Sequence, residues 1–508
     1  MLFSSYEFIV FFLPVVLGAY LVLTRSRYPL LALNLLALAS LFFYGWWKPD
    51  YLVILIASMV VNYGCGVWIY RTHPRPRLSK LILTVGIAFN LGLLGYFKYA
   101  GFIADNVNTL AGDNLLSVGE ITLPLAISFF TFQQIAYLVD TYQTRVHEYN
   151  FSQYVLFVSF FPQLIAGPIV HHKEMMPQFK FHETHLVKLD DINIGLAIFC
   201  IGLFKKVVVA DTVSIYAVPV FTAAESGAHL TLFEAWGGAM AYTLQLYYDF
   251  SGYSDMAIGL ARLFGIRLPE NFNSPYQARS IIDFWHRWHM TLSRFLRDYL
   301  YIPLGGSRRG KVRRYANLMV TMLLGGLWHG AGWTFVIWGG LHGLYLVVNH
   351  LWIALKARLP VVSGPPASGF SFLSWLLTFL AVVVGWVFFR AETFQGAYAV
   401  LRGMAGVNGA VLDDRLAFLA PIVGSHVTFS GVGIGAFGDL WGAVFIVILL
   451  PITFLAPNTL QLVGPNKRHP SIQSSRTAAI TWSVLLSVAF AVSMARMTTV
   501  NQFLYFNF

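Results

Sequence analysis

Long apolar runs, divided by short charged stretches, set the pattern of this chain. Runs near residues 7–24, 29–47, 51–70 and 80–99 approach the roughly 20 residues that carry a helix across a bilayer, and each is predicted as a span. Arg25 and Arg27 follow the first; Arg71, Arg75, Arg77 and Lys80 separate the third and fourth. The segment 102–120, with Asp105, Asp113 and Glu120, is predicted as an acidic loop. Basic loops inside and this loop outside put the N-terminus outside the cytoplasm. The opening stretch has no basic start and no small-residue cleavage site, so it reads as the first span, not as a signal peptide. Further spans are predicted near 193–216, 232–262, 334–355, 370–390, 438–456 and 478–495. Between 121 and 270 the pattern is less regular. "PLAISFFTFQQIAYLVD" and "YVLFVSFFPQLIAGPIV" hold Pro, Gln and Gly where they break or kink a helix. Re-entrant or broken helices are expected there, because irregular backbone at membrane depth survives only inside protein or beside a wet cavity. Residues 392–437 are expected to form a long, weakly charged loop.

Residues 281–300, "IIDFWHRWHMTLSRFLRDYL", are too charged to span. At 100° per residue, Ile281, Trp285, Trp288, Leu292, Phe295, Leu296 and Tyr299 share one face, and Asp283, Arg287, Arg294, Arg297 and Asp298 share the other. The spacing predicts one amphipathic helix lying at the interface or packed across the protein. His289 falls in its apolar stripe, and His286 toward its polar side.

Composition sharpens this picture. The 508 residues are 57% hydrophobic and 11% charged, against about 25% charged in soluble domains. Mean hydropathy is +0.63. The chain is therefore a polytopic, all-α membrane protein, with roughly 11–13 membrane segments expected, counting re-entrant and amphipathic helices. The net charge of +11 follows from Lys and Arg gathered in short loops and calls for no nucleic acid. Cys65 and Cys200 lie in apolar runs and read as packing residues, not as a disulfide. No soluble domain and no fixed-period repeat is visible. The whole chain, 1–508, reads as one integral-membrane domain, with N-terminal spans 1–120, a core 121–358, and C-terminal spans 359–508 that include the loop 392–437.

The stretch "GGLWHGAGW", Gly325 to Trp333, sits inside an almost uncharged run. Arg308, Arg309, Lys311, Arg313 and Arg314 on one side, and Lys356 and Arg358 on the other, are expected in the cytoplasm. The chain between them must then enter the membrane and return. From Ala316 to Leu327 there are 12 residues, about 18 Å of helix, which reaches only the middle of a core about 30 Å thick. Glycines 325, 326, 330 and 332 allow a break, so His329 is expected at that break, deep in the protein. A histidine there is either a hydrogen-bonded packing residue or a functional one. His342 in "GGLHGLY" reads as structural, and His350 as interfacial.

Other polar groups stand out. Asp249 and Asp255 lie six apart in an otherwise apolar helix, so they do not share a face. They read equally as ion-pair partners of an arginine such as Arg262 or Arg279. Gln163 follows Pro162. His286 and His289, three apart, lack the acidic ligand pattern of a metal site, and no metal is expected. No P-loop, no GxSxG and no dinucleotide-binding glycine motif with its ribose-binding acid is present.

"ENFNSPYQARSIIDFWHRWHMTLSRFLRDYLYIPLGGSRRG" followed by "NLMVTMLLGGLWHGAGWTFVIWGGLHG" closely resembles the membrane-bound O-acyltransferase superfamily. The specific resemblance is to its bacterial branch of alginate O-acetyltransferase membrane subunits and teichoic-acid D-alanyl transfer proteins. "FSSYEFIVFFLP", "LGYFKYAGF", "FFPQLIAGPI", "YYDFSGYSDMAIGL" and "VGWVFFRAETF" extend it to about residue 392. The resemblance implies a ring of helices around a central funnel or tunnel, and two key histidines, His289 in "RWHMT" and His329 in "LWHGAGW". Where that family carries Arg, this chain has His286. Residues in the matching stretches expected at the substrate are Gln163, Tyr248, Asp249, Asn271, Asp283, Trp285, Arg287 and Trp328. The implied chemistry is transfer of an acetyl group from a cytoplasmic thioester such as acetyl-CoA, with no tightly bound cofactor, to a hydroxyl on an extracytoplasmic polymer. His329 would be the base. His289 would orient it, stabilise charge on the carbonyl oxygen, or hold the donor. The basic stretch Arg308–Arg314 would attract the donor's phosphates, or simply obey the positive-inside bias. The resemblance also implies a separate extracytoplasmic partner of the SGNH hydrolase type, and a place in the bacterial inner membrane. Open alternatives are D-alanyl, lipid or protein acyl transfer. From another class, a proton-coupled transporter would also use broken helices and buried Asp and His, although no inverted repeat is visible.

Overall fold

The apolar runs fold as helices, in a computed structural model that describes residues 1–25, 29–119, 121–144, 150–179, 187–358, 368–424, 426–431, 433–438, 440–463 and 476–497. Arg27 and Glu120 lie outside the described residues. Among those described, seven helical stretches are long and apolar enough to cross a membrane: Glu7–Thr24, Pro49–Arg71, Pro76–Ala111, Leu189–Glu225, Trp333–Lys356, Ser371–Arg390 and Ala479–Arg496. Leu30–Gly45 and Leu440–Leu455 are shorter apolar helices. The chain is a multi-pass, helical membrane protein. The expected span at 232–262 is one 32-residue helix, Leu232–Leu263.

Three sequence expectations change. The acidic loop expected from 102 is helix as far as Ala111, ending in the left-handed Gly112 (φ 69°). Asn106 and Thr109 return hydrogen bonds to carbonyls four residues back and so do not break it. "PLAISFFTFQQIAYLVD" is unbroken from Ile127 to Thr144, and Gln134 pairs across helices instead of with its own backbone; its Nε2 donates to Ser58 Oγ at 3.0 Å. The region 392–437 is folded. It holds the helix Phe394–Met404 and two short parallel strands, Ala410–Leu412 and Val427–Phe429, over a small core of Leu412, Leu416 and Ala443. Glu225 ties its start, accepting hydrogen bonds from Glu392 N, Thr393 N and Thr393 Oγ1. The other broken-helix expectation holds. Phe151–Ser159 ends at Phe160 (φ −48°, ψ 109°), and Phe161–Leu164 follows after Pro162 enters at its second position.

The described chain forms two compact units. One draws on Met1–Leu203, Tyr253–Glu270 and Ile472–Asn507; the other draws on Phe204–Gly252 and Asn271–Ser471. In the first unit, polar side chains join helices where lipid offers no alternative partner. Asn62 and Asn90 exchange amide hydrogen bonds of 3.2 and 2.6 Å. Gly195 and Gly259 let the Leu189–Phe204 helix and the end of Leu232–Leu263 touch, since a Cβ on either would meet the other's carbonyl oxygen within 3 Å. Arg262 then reaches Asp191 at 3.0 Å.

The second unit is built on a hairpin of Lys311–His329 and Trp333–Lys356. Its packing rests on glycine. A Cβ on Gly326 would run into the Phe335 carbonyl and Gly339, and one on Gly339 into the Met322 carbonyl. Glycines 325 and 326 therefore stay helical, and only Gly330 and Gly332, both extended, open the turn.

Candidate active site

His329 is the last residue of its helix, 2% exposed, with Gly330 extended immediately after it. The sequence expectation of a buried histidine at the break is met in placement, three residues further along than the first glycine pair. Aromatic rings box it in. Trp328 lies at 4.9 Å between centroids, Trp338 at 5.1 Å and Phe389 at 5.2 Å.

His289 comes from a different local device. The single amphipathic helix expected over 281–300 does not form. Ile281–Trp285 is one short helix, Met290–Leu296 the next, and His289 caps the second with φ 42° and ψ 52°. A non-glycine residue in the left-handed region costs about 1–2 kcal/mol, and nothing in the helical periodicity announces it. What holds it is the segment 271–273. Met290 N donates to Asn271 O at 2.9 Å, and Asn273 N to Arg287 O at 2.9 Å. The side chain of Asn271 completes the clamp, because its Oδ1 accepts from Thr291 Oγ1 at 2.8 Å and lies 3.0 Å from His289 Nδ1.

That network assigns a tautomer. An amide oxygen cannot donate, so Nδ1 of His289 carries the proton. Nε2 then bears the lone pair of the neutral ring, and it has no hydrogen-bond partner among the described residues. His289 is fully buried, edge-on to Phe250 at 4.7 Å. Its ring centroid stands 6.5 Å from that of His329 and 6.4 Å from Trp328.

The other expected residues divide around this pair. Asn271 and Trp328 touch it. Trp285 is buried one step away, against Trp338 at 5.9 Å and His342 at 5.3 Å. Asp283 and Arg287 pair with each other at 2.7 Å and line an open cavity. Tyr248 is tied to Thr453 at 2.9 Å. Asp249 pairs with a lysine, not with Arg262 or Arg279. Lys206 Nζ sits 2.9 Å from Asp249 and 2.7 Å from Asp211, all three on the helices Lys205–Ala210, Asp211–Glu225 and Leu232–Leu263. Gln163 belongs to the other unit, where its Nε2 spans the helix break to Phe157 O at 2.7 Å. His286 is exposed at the end of Ile281–Trp285. Sequence reasoning missed Phe250, Trp338 and Phe389. The pairing of Gly326 with Gly339 was the signal that would have brought Trp338 to His329, since it fixes the hairpin register.

Such a site can do acid–base work on a hydroxyl in a dry, aromatic enclosure. Comparison with known proteins points the same way. The model of the membrane-bound O-acyltransferase family, MBOAT, matches residues 79–385. The chain is 41% identical to a peptidoglycan O-acetyltransferase of Helicobacter pylori, over 100% of this chain and 98% of that one. It is 45% identical to a probable alginate O-acetylase, AlgI, of Pseudomonas aeruginosa, over 80% of this chain and 75% of that one. A teichoic acid D-alanyltransferase of Streptococcus thermophilus is 28% identical over 46% of this chain and 59% of its own length.

Proposed function

The chain belongs to the membrane-bound O-acyltransferase family, and from that premise we propose that it moves acetyl groups from a cytoplasmic thioester to hydroxyls of an extracytoplasmic glycan, peptidoglycan or an exopolysaccharide. It is an O-acyltransferase of the membrane. The glycan acceptor is supported by the names of the two relatives that align along most of the chain. The observation that carries the mechanism is the buried His289–His329 pair, with ring centroids 6.5 Å apart.

In this reading His329 takes the proton of the acceptor hydroxyl as its oxygen attacks the thioester carbonyl carbon. His289 is held by Asn271 with its Nε2 lone pair free to accept a hydrogen bond, so in its neutral form it would hold the incoming hydroxyl before attack; the hydroxyl has one proton, which turns to His329 as the oxygen attacks. When the carbon–sulfur bond breaks, the proton on His329 goes to the departing thiolate. A hydroxyl acceptor in this enclosure would be kept from competing water by Trp328, Trp338 and Phe389. Acetyl-CoA or another acetyl thioester is the donor, and no tightly bound cofactor is needed.

The immediate acceptor is proposed to lie on a partner of the SGNH hydrolase type in the bacterial inner membrane system, which then esterifies the polymer. No GxSxG elbow is present in the sequence to do that second step. The test is acetyl transfer to a glycan oligomer in proteoliposomes holding this chain, with and without such a partner. Slow thioester consumption alone and oligomer esterification only with the partner is expected. Efficient esterification by this chain alone would reject the relay.

A further inference from the structure

Asp283 and Arg287 open onto a cavity of about 1250 Å³. This is larger than the roughly 300–1,000 Å³ of ordinary small-molecule pockets, so it suits a molecule with chains. Its polar wall is Arg279, Asp283 and Arg287, and its apolar wall is Phe372, Trp375 and Phe454.

The charges do not cancel. Arg287 Nε pairs with Asp283 Oδ1 at 2.7 Å, and its Nη1 reaches Asn273 O at 3.4 Å. That pair is neutral. The Arg279 guanidinium is exposed and has no partner among the described residues; only its backbone N–H engages Asp283, at 3.4 Å. One net positive charge is left, on a planar fork of donors suited to a phosphate.

The apolar wall is rigid and faces outward. Trp375 Nε1 donates to Tyr276 O at 2.8 Å, and its ring meets Phe454 at 5.0 Å and Phe372 at 5.4 Å. Phe372 is 61% exposed and Leu455 81% exposed. Phe372 and Trp375 lie in the first turns of the Ser368–Arg390 helix, and Phe454 and Leu455 close the Leu440–Leu455 helix. Ends of membrane helices lie at headgroup depth, where tryptophan and arginine anchor a protein. An unpaired arginine, an aromatic wall and an outward apolar rim at that depth match one ligand chemistry.

We propose that this cavity holds the headgroup of an anionic phospholipid, its phosphate on Arg279 and Arg287 and its acyl chains along Phe372, Phe454 and Leu455. A soluble phosphate, such as that of coenzyme A, shares the headgroup's charge but has no use for the outward apolar rim. Its test reads binding, not activity.

The experiment is native mass spectrometry of the full-length protein exchanged into phosphatidylglycerol or phosphatidylcholine. Phosphatidylglycerol should stay bound where phosphatidylcholine is lost. One arginine near a membrane surface contributes about 1 kcal/mol toward an anionic lipid, so Arg279→Gln should lower phosphatidylglycerol occupancy roughly fivefold. Arg279→Lys, which keeps the charge, should retain more of it. Arg297→Gln, at an exposed residue paired with Asp298, should change nothing. Equal phosphatidylglycerol retention by Arg279→Gln and the parent, at matched melting temperature, would overturn the site. Displacement of phosphatidylglycerol by coenzyme A or inorganic phosphate, with no preference over phosphatidylcholine, would overturn the lipid assignment in favour of a soluble phosphate.

Discussion

Asn271 decides which nitrogen of His289 carries the proton, and that choice decides what the ring can do. Its Oδ1 takes donors from both His289 and Thr291, so His289 presents a lone pair inward while His329 meets it across 6.5 Å. His289→Ala should cut acetyl transfer about 10²–10⁴-fold, the usual worth of a group in acid–base chemistry. Asn271→Ala should cut it less, and the loss should include a changed pH profile, because the tautomer is no longer fixed. His286→Ala should leave most activity, since that ring is exposed at the end of its helix. An acetyl-content assay at matched expression orders the three; His286→Ala falling below His289→Ala would put the functional face on the wrong side. The family resemblance made His289 legible in the sequence, but its left-handed backbone was not, because hydrophobic spacing on either side fits one continuous helix. Lys206 was invisible as the partner of Asp249, since 43 residues separate them and lysine in an apolar run reads as a loop signal.

Among the elements, the hairpin of Lys311–His329 and Trp333–Lys356 sets the position of His329. Charged flanks and clustered glycines revealed that hairpin in the sequence. They did not reveal which glycines turn and which pack. Gly330 and Gly332 turn, whereas Gly326 and Gly339 let two backbones touch. Gly339→Ala would force a methyl against the Met322 carbonyl, and overpacking of this kind costs about 1–3 kcal/mol. A lowered melting temperature, with acetyl transfer falling alongside it because Trp338 shifts from His329, is expected. Gly340→Ala is the control, since a Cβ there meets only Leu323 at 3.5 Å; equal effects of the two would show that close hairpin packing is not what holds the site. The region 392–437 was misread as loop because its helix, Phe394–Met404, is capped by Thr393 and anchored by Glu225, 168 residues earlier.

For the whole molecule, the account needs a donor on the cytoplasmic side and an acceptor on the other. The charge of the basic segment 308–314 leads one to expect it in the cytoplasm. Single cysteines introduced there should react with an impermeant thiol reagent only after the membrane is opened. Labelling in intact cells would reverse the orientation and the donor side with it. Span positions were legible because an apolar run of about 20 residues has few other fates. The cavity at Arg279 was not, because its walls come from stretches about 75 residues or more apart along the chain.

The central claim is that His329 carries out the proton transfer that makes an acceptor hydroxyl reactive. The most direct measurement is single-turnover acetyl transfer from a thioester in proteoliposomes, comparing the parent with His329→Ala at equal inserted amounts and equal melting temperature. The account predicts loss of transfer by about 10²-fold or more, with donor binding retained. Transfer within a few-fold of the parent would contradict it and move the base elsewhere.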